Sequence, residues 1–356
     1  MSGAYYVDQW SDANARATGC NSTLQAALQA ALQVPRSEGA EYTGAEYLAT
    51  RACRFSGNAE IAQEARALWP KLSMFGYYPS LGFAIFALVV FGISGLAHLY
   101  QMIRSRRWAF FSVICAVGLE MTGWVFRAQA SGDIMYGYVL QLAMLTVGPT
   151  FFAGGVYALF YMFASTQDRH LMPLLGPKAF SWTIFWVEIV TIAIQAAGGG
   201  IAASVAGRSN YLLGTHIMTA GTSLQLATSL AFTTVFAIFF VRYRSSIAAE
   251  SLSLRNNVGR IFWGIAVMEL LIIVRGSYRI AELAGGLYGS IATNQAALIV
   301  CDAIPMLIVS ILLNLVHPMW TLKRERSTSN KDKRSASVGS ETVESFEFKP
   351  VGRESA

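Results

Sequence analysis

YPSLGFAIFALVVFGISGLAHLYQMIRSRRW, residues 78–108, passes from Tyr78 to Ile103 without a single Asp, Glu, Lys or Arg. It then meets three arginines, Arg104, Arg106 and Arg107. A helix needs about 20 apolar residues to cross a bilayer core. The uncharged run is long enough, and the arginine cluster ends it on a polar surface. Its window, 78–101, is followed by six more of the same kind, at 108–128, 135–163, 180–204, 211–241, 260–283 and 293–317. The breaks are RSRRW (104–108), ASGD (130–133), Ser165 to Lys178, AGRSN (206–210), Arg242 to Arg260, and GGLYGS (285–290). The expected fold is all-α, a polytopic bundle of seven transmembrane helices.

Composition agrees. Charged residues make up 13% of the chain, about half the share usual in soluble domains. That excludes a disordered chain and argues against a soluble enzyme. Loop cations set the expected orientation. Loop 1 has the three arginines above, loop 3 has Arg169 and Lys178, and loop 5 has Arg242, Arg244, Arg255 and Arg260. The early tail adds Lys323, Arg324, Arg326, Lys331, Lys333 and Arg334, whereas loops 2, 4 and 6 offer only Arg208. The expected N-terminus is outside and the C-terminus cytoplasmic. This bias accounts for the net charge of +6 without a nucleic-acid partner.

Three regions follow: an exoplasmic segment with short helices (1–77), the seven-helix domain (78–320) and a disordered cytoplasmic tail (321–356). MSGAYYVDQW lacks the basic and apolar parts of a signal peptide, so the first span is expected to export the segment before it. In that segment Asn21-Ser22-Thr23 is a glycosylation sequon. Cys20 and Cys53 form one disulfide or remain two thiols. TLQAALQAALQ (23–33) reads as a helix capped by Ser22 or Thr23, and AEIAQEARAL (59–68) as a second. The basic start of the tail is either the orientation signal or a contact for anionic lipids. Serines 335, 337 and 340 there are possible phosphate acceptors.

Ionisable residues inside a membrane are costly and usually face a bundle interior. Span 2 holds Glu120 and Arg127, span 4 Glu188 with Gln195, span 6 Glu269, Arg275, Arg279 and Glu282, and span 7 Asp302. The spacings of seven, and of four and three, put each set on one helical face. Asp302 is placed to pair with Arg275 or Arg279, and Glu282 with Arg127. Such stripes either fix helix register as buried ion pairs or line an outward-opening cavity for a charged headgroup. Pro149 and Pro305 free backbone carbonyls; Gly154-Gly155, Gly198-Gly199-Gly200 and Gly285-Gly286 serve close packing or hinging.

Other chemistry finds no support. No GxxxxGK[ST] loop is present. His98, His170, His216 and His317 lack zinc-ligand spacing, and the expected orientation separates His216 from His98 and His317. No lysine lies well within a span for a retinal linkage. FYMFASTQDRH, with Asp168-Arg169, is a weak receptor-like feature at the end of span 3.

The order of these motifs resembles a fungal family of seven-span lipid-translocating exporters. Its members include an aminocholesterol-resistance protein, a sphingoid long-chain-base exporter and a protoporphyrin transporter. The resemblance covers roughly residues 78–320. It rests on EMTGWVFR (Glu120, Gly123, Trp124, Arg127), PTFFAGGVY from Pro149, and EIVTIAIQAAGGG from Glu188 through Gln195. It continues with GTSLQ ending at Gln225, RGSYRIAELAGG (Arg275, Tyr278, Arg279, Glu282), DAIPM from Asp302, and His317-Pro318. Glu188, Trp124 and Gln295 depart from the residues more usual in that pattern.

The resemblance implies a non-enzymatic, cofactor-free exporter or flippase of amphipathic lipids such as sphingoid bases. It further implies a plasma-membrane setting, or a vacuolar or other endomembrane one, and resistance to toxic amphiphiles. Its partners are membrane lipids and the amphipathic substrate. The implied substrate-binding set is Glu120, Arg127, Glu188, Gln195, Gln225, Arg275, Tyr278, Arg279, Glu282 and Asp302. Passive scrambling, proton coupling and regulation of another transporter are all compatible with it. The alternative is a receptor-like lipid-stress sensor; a lesser one is porphyrin or haem-related transport.

Overall fold

The computed structural model describes residues 20–33, 53, 58–72, 75–129, 134–165, 176–203, 208–246, 252–285 and 289–317. The basic tail with its three serines and the Asp168-Arg169 pair lie outside the described residues.

Two short helices precede the bundle, α1 (Ser22–Gln33) and α2 (Ala59–Leu72). Asn21, not Ser22 or Thr23, caps α1: its Oδ1 accepts from the Leu24 N–H at 2.9 Å. Asn is among the best N-cap residues, and it moves the start one position earlier. Cys20 and Cys53 are joined in a disulfide with Cα atoms 4.7 Å apart. Leu28, Cys53 and Ala65 form a small core beneath it. Pro70 lacks the N–H that would bond the Arg66 carbonyl. Tyr78 donates its hydroxyl to that oxygen at 2.7 Å, which ties α2 to the start of the first span.

Among the described residues, seven helices are long and apolar enough to cross a membrane. The first five are α3 (Leu81–Ser105), α4 (Phe111–Gln129, after a 3₁₀ turn at 108–110), α5 (Ile134–Ala164), α6 (Pro177–Ala203) and α7 (Arg208–Ser246). Then follow α8 (Leu252–Ala284) and a composite seventh span. That span starts as α9 (Gln295–Leu298), widens into a π-turn over Ile299–Ala303 and continues as α10 (Ile304–Leu315). Ser80 caps α3 by accepting from the Phe83 N–H at 3.3 Å, and Arg106 ends it with a left-handed φ of 52°.

Sequential helices pack as neighbours, and α10 closes the ring by packing on α3 and α8. The centre is α5, which touches α4, α6, α7, α8 and α10. Its spanning window is 72% buried, against 28% for the first and fifth spans. This fits the absence of any charged residue from α5.

Small residues set the closest crossing. A Cβ at Gly198 of α6 would sit 2.7 Å from the Gly214 carbonyl of α7, and one at Gly221 would sit 2.8 Å from Gln195 Cγ. Polar clamps join α3 to α10. Ser94 Oγ lies 2.6 Å from Ser310 Oγ, and Asn314 Nδ2 donates to Ser94 Oγ at 2.7 Å. His98 Nε2 lies 3.1 Å from the Ser310 carbonyl.

Candidate functional site

The eight charges in the interior of the spans, away from the edge residue Arg260, are buried, none more than 6% exposed: Glu120, Arg127, Glu188, Glu269, Arg275, Arg279, Glu282 and Asp302. The stripes therefore face inward, as their helical spacing requires.

Their centre is Asp302, between two arginines of α8. Arg275 Nε lies 2.8 Å from Asp302 Oδ1, and Arg279 Nη2 lies 2.5 Å from Oδ2. Asp302 thus pairs with both arginines. The π-turn carries it there. Pro305 has no N–H, and its ring disfavours a regular helical turn before it. The Ile304 N–H reaches back five residues to the Ile299 carbonyl instead. Such a turn re-aims one side chain within an otherwise regular helix.

Proline also prepares the second partner of Arg275. Pro149 cannot bond the Leu145 carbonyl, four residues earlier in α5. Arg275 Nη2 donates to that freed oxygen. One guanidinium therefore joins α8, α5 and the seventh span.

Glu282 pairs with Arg279 of its own helix, Nη1 to Oε2 at 2.7 Å, rather than with Arg127 as expected. The three-residue spacing makes the local contact the nearer one. Arg127 stays within electrostatic reach of Glu282 but donates to Tyr77 Oη at 2.9 Å and to Gln141 Oε1 at 3.5 Å. The Phe75, Tyr77 and Trp124 rings surround its guanidinium at 5.5 to 5.8 Å. Burial pushes the Tyr77 phenol above its ordinary pKa, against the pull of Arg127. Gly76, at φ +70°, turns the chain between Phe75 and Tyr77. Phe75 packs edge-on against Tyr138, 5.0 Å between centroids, and beside Met218 and Leu283. The segment 75–77 thus covers the Arg127 end of the interior.

Glu120 lies within electrostatic reach of Asp302, Arg275 and Arg279. Gly148 gives it room: an added Cβ would approach its Oε1 to 3.2 Å. Tyr278 is half-buried, its ring 6.0 Å from the Arg279 guanidinium carbon. A neutral link follows. Gln195 Nε2 donates to Gln225 Oε1 at 3.0 Å, and Thr150 donates to Gln195 Oε1 at 3.3 Å.

Glu188 stands apart from the arginines. The charge that acts on it is that of Glu269, with Tyr157 and Ser229 close by. Beyond them a wall of rings, Phe160, Phe163, Phe232, Phe236, Phe239 and Phe262, fills the space between α5, α7 and α8. Phe160 and Phe232 meet at right angles 5.4 Å apart.

The sequence reading placed Glu269 inside a span but left it out of the binding set. It also missed Tyr77, Gln141, Thr150 and Ser229. Ser229 had a signal, since it lies four residues from Gln225 on one face of α7. Tyr77 had none, because it comes from the segment before the spans. Among the described residues, no group of three His, Cys, Asp or Glu is placed to hold a metal ion.

No solved structure matches the chain. A curated relative, "Sphingoid long-chain base transporter RSB1" of Saccharomyces cerevisiae, is 28% identical over 288 residues, 71% of this chain and 75% of that one. "Protein RTA1" of the same yeast is 25% identical over 298 residues, 74% and 90% of the two chains. "Protein RTM1" is 27% identical over 216 residues, 59% and 67%. The family profile described as "RTA1 like protein" matches residues 113–325, from α4 to beyond the seventh span. The chain is therefore a member of the RTA1-like family of integral membrane proteins.

Proposed function

We propose that the protein moves cationic amphipathic lipids, of the sphingoid long-chain-base type, between the leaflets of a fungal plasma membrane. The observation that carries this reading is the run of buried polar side chains through an otherwise apolar bundle. These side chains include Arg127, Asp302, Gln195 and Glu269. Polar groups in this position mark substrate pathways in membrane proteins. A headgroup follows the polar run while its chain remains among apolar helix faces. The name of the yeast relative supports the substrate class. The N-terminal segment, with a glycan on Asn21, lies outside the cell and the tail inside, in keeping with the loop charges. The net result is export and resistance to toxic amphiphiles. No catalytic step is assigned.

The test is reconstitution into liposomes and measurement of labelled sphingoid base crossing the leaflets. Folded protein should accelerate crossing over empty vesicles; equal rates sink the proposal. One observation favours a receptor-like regulator instead. Arg275, Arg279, Glu282 and Asp302 form ion pairs with one another, as a register lock does. That reading requires a cytoplasmic partner at loops 3 and 5. Recovery of one by crosslinking, without lipid transport, would favour it.

A further inference from the structure

The interior charges are unevenly balanced. Three guanidinium groups, Arg127, Arg275 and Arg279, share one region with three carboxylates, Glu120, Glu282 and Asp302. No such balance exists at Glu188 and Glu269. Glu188 comes from α6 and is 6% exposed; Glu269 comes from α8 and is 1% exposed. All four of their carboxylate oxygens lack a hydrogen-bond partner. Among the described residues, no basic group acts on either.

Hydroxyl groups lie near these carboxylates. From α5, Tyr157 Oη lies 3.2 Å from Ser229 Oγ of α7. Ser229 in turn is near enough to act on Glu269, without a hydrogen bond to either of its carboxylate oxygens. On α6, Thr191 is one turn from Glu188 and fully buried, and its hydroxyl has no partner. Among the described residues, the titratable groups that act on one another here are Glu188, Glu269 and Tyr157, one from each of three helices. Glu188 lies 11 residues from Pro177 and Glu269 lies 10 from Gly259, so each is about 15 Å from the start of its span.

Two carboxylates in a low-dielectric interior cannot both hold their charge without a cation between them. A proton supplies that cation, and so does a primary ammonium, which also brings hydrogen-bond donors for the unpartnered oxygens. We infer that Glu188 and Glu269, with Tyr157 and Ser229, form a monovalent-cation subsite that holds a proton when empty and releases it when a lipid ammonium enters. One positive charge replaces another, the displaced proton passes to solvent, and no covalent bond changes. The inference rests on the transport reading for the identity of its ammonium.

The test uses the full chain in phosphatidylcholine vesicles and a fluorescent sphingoid base as probe. Competition with a single proton makes wild-type affinity fall about tenfold per pH unit on acidification. Glu188→Gln and Glu269→Gln should each bind about tenfold or more weakly and lose that slope. Variants that elute and melt like wild type, yet keep its affinity and slope, overturn the subsite. Should the Gln variants fail to fold, Glu269→Asp keeps the charge, and loss of the slope there overturns it equally. Transport that continues unchanged in both Gln variants overturns this inference alone. Wild-type protein that binds with the expected slope but moves no lipid supports the subsite and overturns the transport reading.

Discussion

Asp302→Asn isolates the interaction on which the bundle's register depends. Asp302 is 3% exposed and held by Arg275 at 2.8 Å and Arg279 at 2.5 Å. The amide preserves the shape and one acceptor but removes the negative charge. Arg279 keeps Glu282 at 2.7 Å, whereas Arg275 keeps only a neutral carbonyl, that of Leu145. Neither partner is solvent-screened, so the exposed-pair value of under about 1 kcal/mol does not apply. Breaking a buried pair from one side costs about 3–5 kcal/mol. At roughly 2–4 °C per kcal/mol for a domain of this size, the melting temperature should drop by roughly 6–20 °C. The assay is thermal unfolding in detergent, followed by intrinsic fluorescence. Arg275→Gln in the same chain should cost less than the two single changes added together, because the two side chains share one interaction. A loss below about 1 kcal/mol for Asp302→Asn, or strict additivity, would refute the reasoning. In liposomes the same variant should slow lipid crossing, and a wild-type rate removes Asp302 from the mechanism.

Arg275→Lys should cost about 1–3 kcal/mol, since one ammonium cannot serve Asp302 and the Leu145 carbonyl in the guanidinium's geometry. Pro149→Ala restores an N–H to that carbonyl, so the cost of Arg275→Lys should shrink in its background, as a double-mutant cycle of melting curves will register. Tyr77→Phe leaves one Arg127 donor without its phenol and should cost about 1.5–3 kcal/mol in the same assay; no change refutes the covering role of residues 75–77. Gly198→Val should destabilise by about 1–3 kcal/mol through overlap with Gly214, whereas Gly200→Ala, with open space around it, should be neutral or gain up to about 1 kcal/mol. Non-reducing peptide mapping should recover a Cys20–Cys53 crosslink, and closing that 33-residue separation contributes about 3–4 kcal/mol to the N-terminal helix pair. A glycosidase-sensitive mass at Asn21 checks the outside placement.

The spans were legible because membrane crossing imposes a length and a composition that no tertiary contact overrides. Each window read from the sequence lies within a few residues of a helix. The inward stripes were legible for a related reason: burying a charge in a bilayer is so costly that spacing alone fixes its face. Partner choice was less legible. Glu282 takes Arg279 of its own helix, and Arg127 takes a tyrosine from outside the bundle, because pairing depends on rotamers and on a folded-back segment. The prolines lay between these cases. A proline frees the carbonyl four residues earlier, so Leu145 and Arg66 were marked in the sequence as acceptors in need of a donor. Only the packed structure supplies the donors, Arg275 and Tyr78. The α3–α10 clamp was legible in hindsight, since Ser94 and His98 fall on one face of α3, and Ser310 and Asn314 on one face of α10.

The same electrostatics decides where a cationic headgroup should rest. To bind at Asp302 it must displace a guanidinium, and each broken buried pair costs about 3–5 kcal/mol. Its own new contact cannot exceed what it disrupts, because it brings the same single charge with fewer fixed donors than arginine. At Glu188 and Glu269 nothing cationic must leave except a proton. There the ammonium supplies what the empty site lacks, and the hydroxyls of Tyr157 and Ser229 complete its surroundings. On the proposed transport reading, the Arg–Asp centre is a fixed joint between α8, α5 and the seventh span, and the uncompensated carboxylates are the place where occupancy changes. Thr150, Gln195 and Gln225 form a separate hydrogen-bonded chain that carries no net charge. On this division Asp302→Asn should act mainly through stability, and Glu269→Gln mainly through binding and its pH slope. If the two variants shift the same observable in the same proportion, the division is wrong.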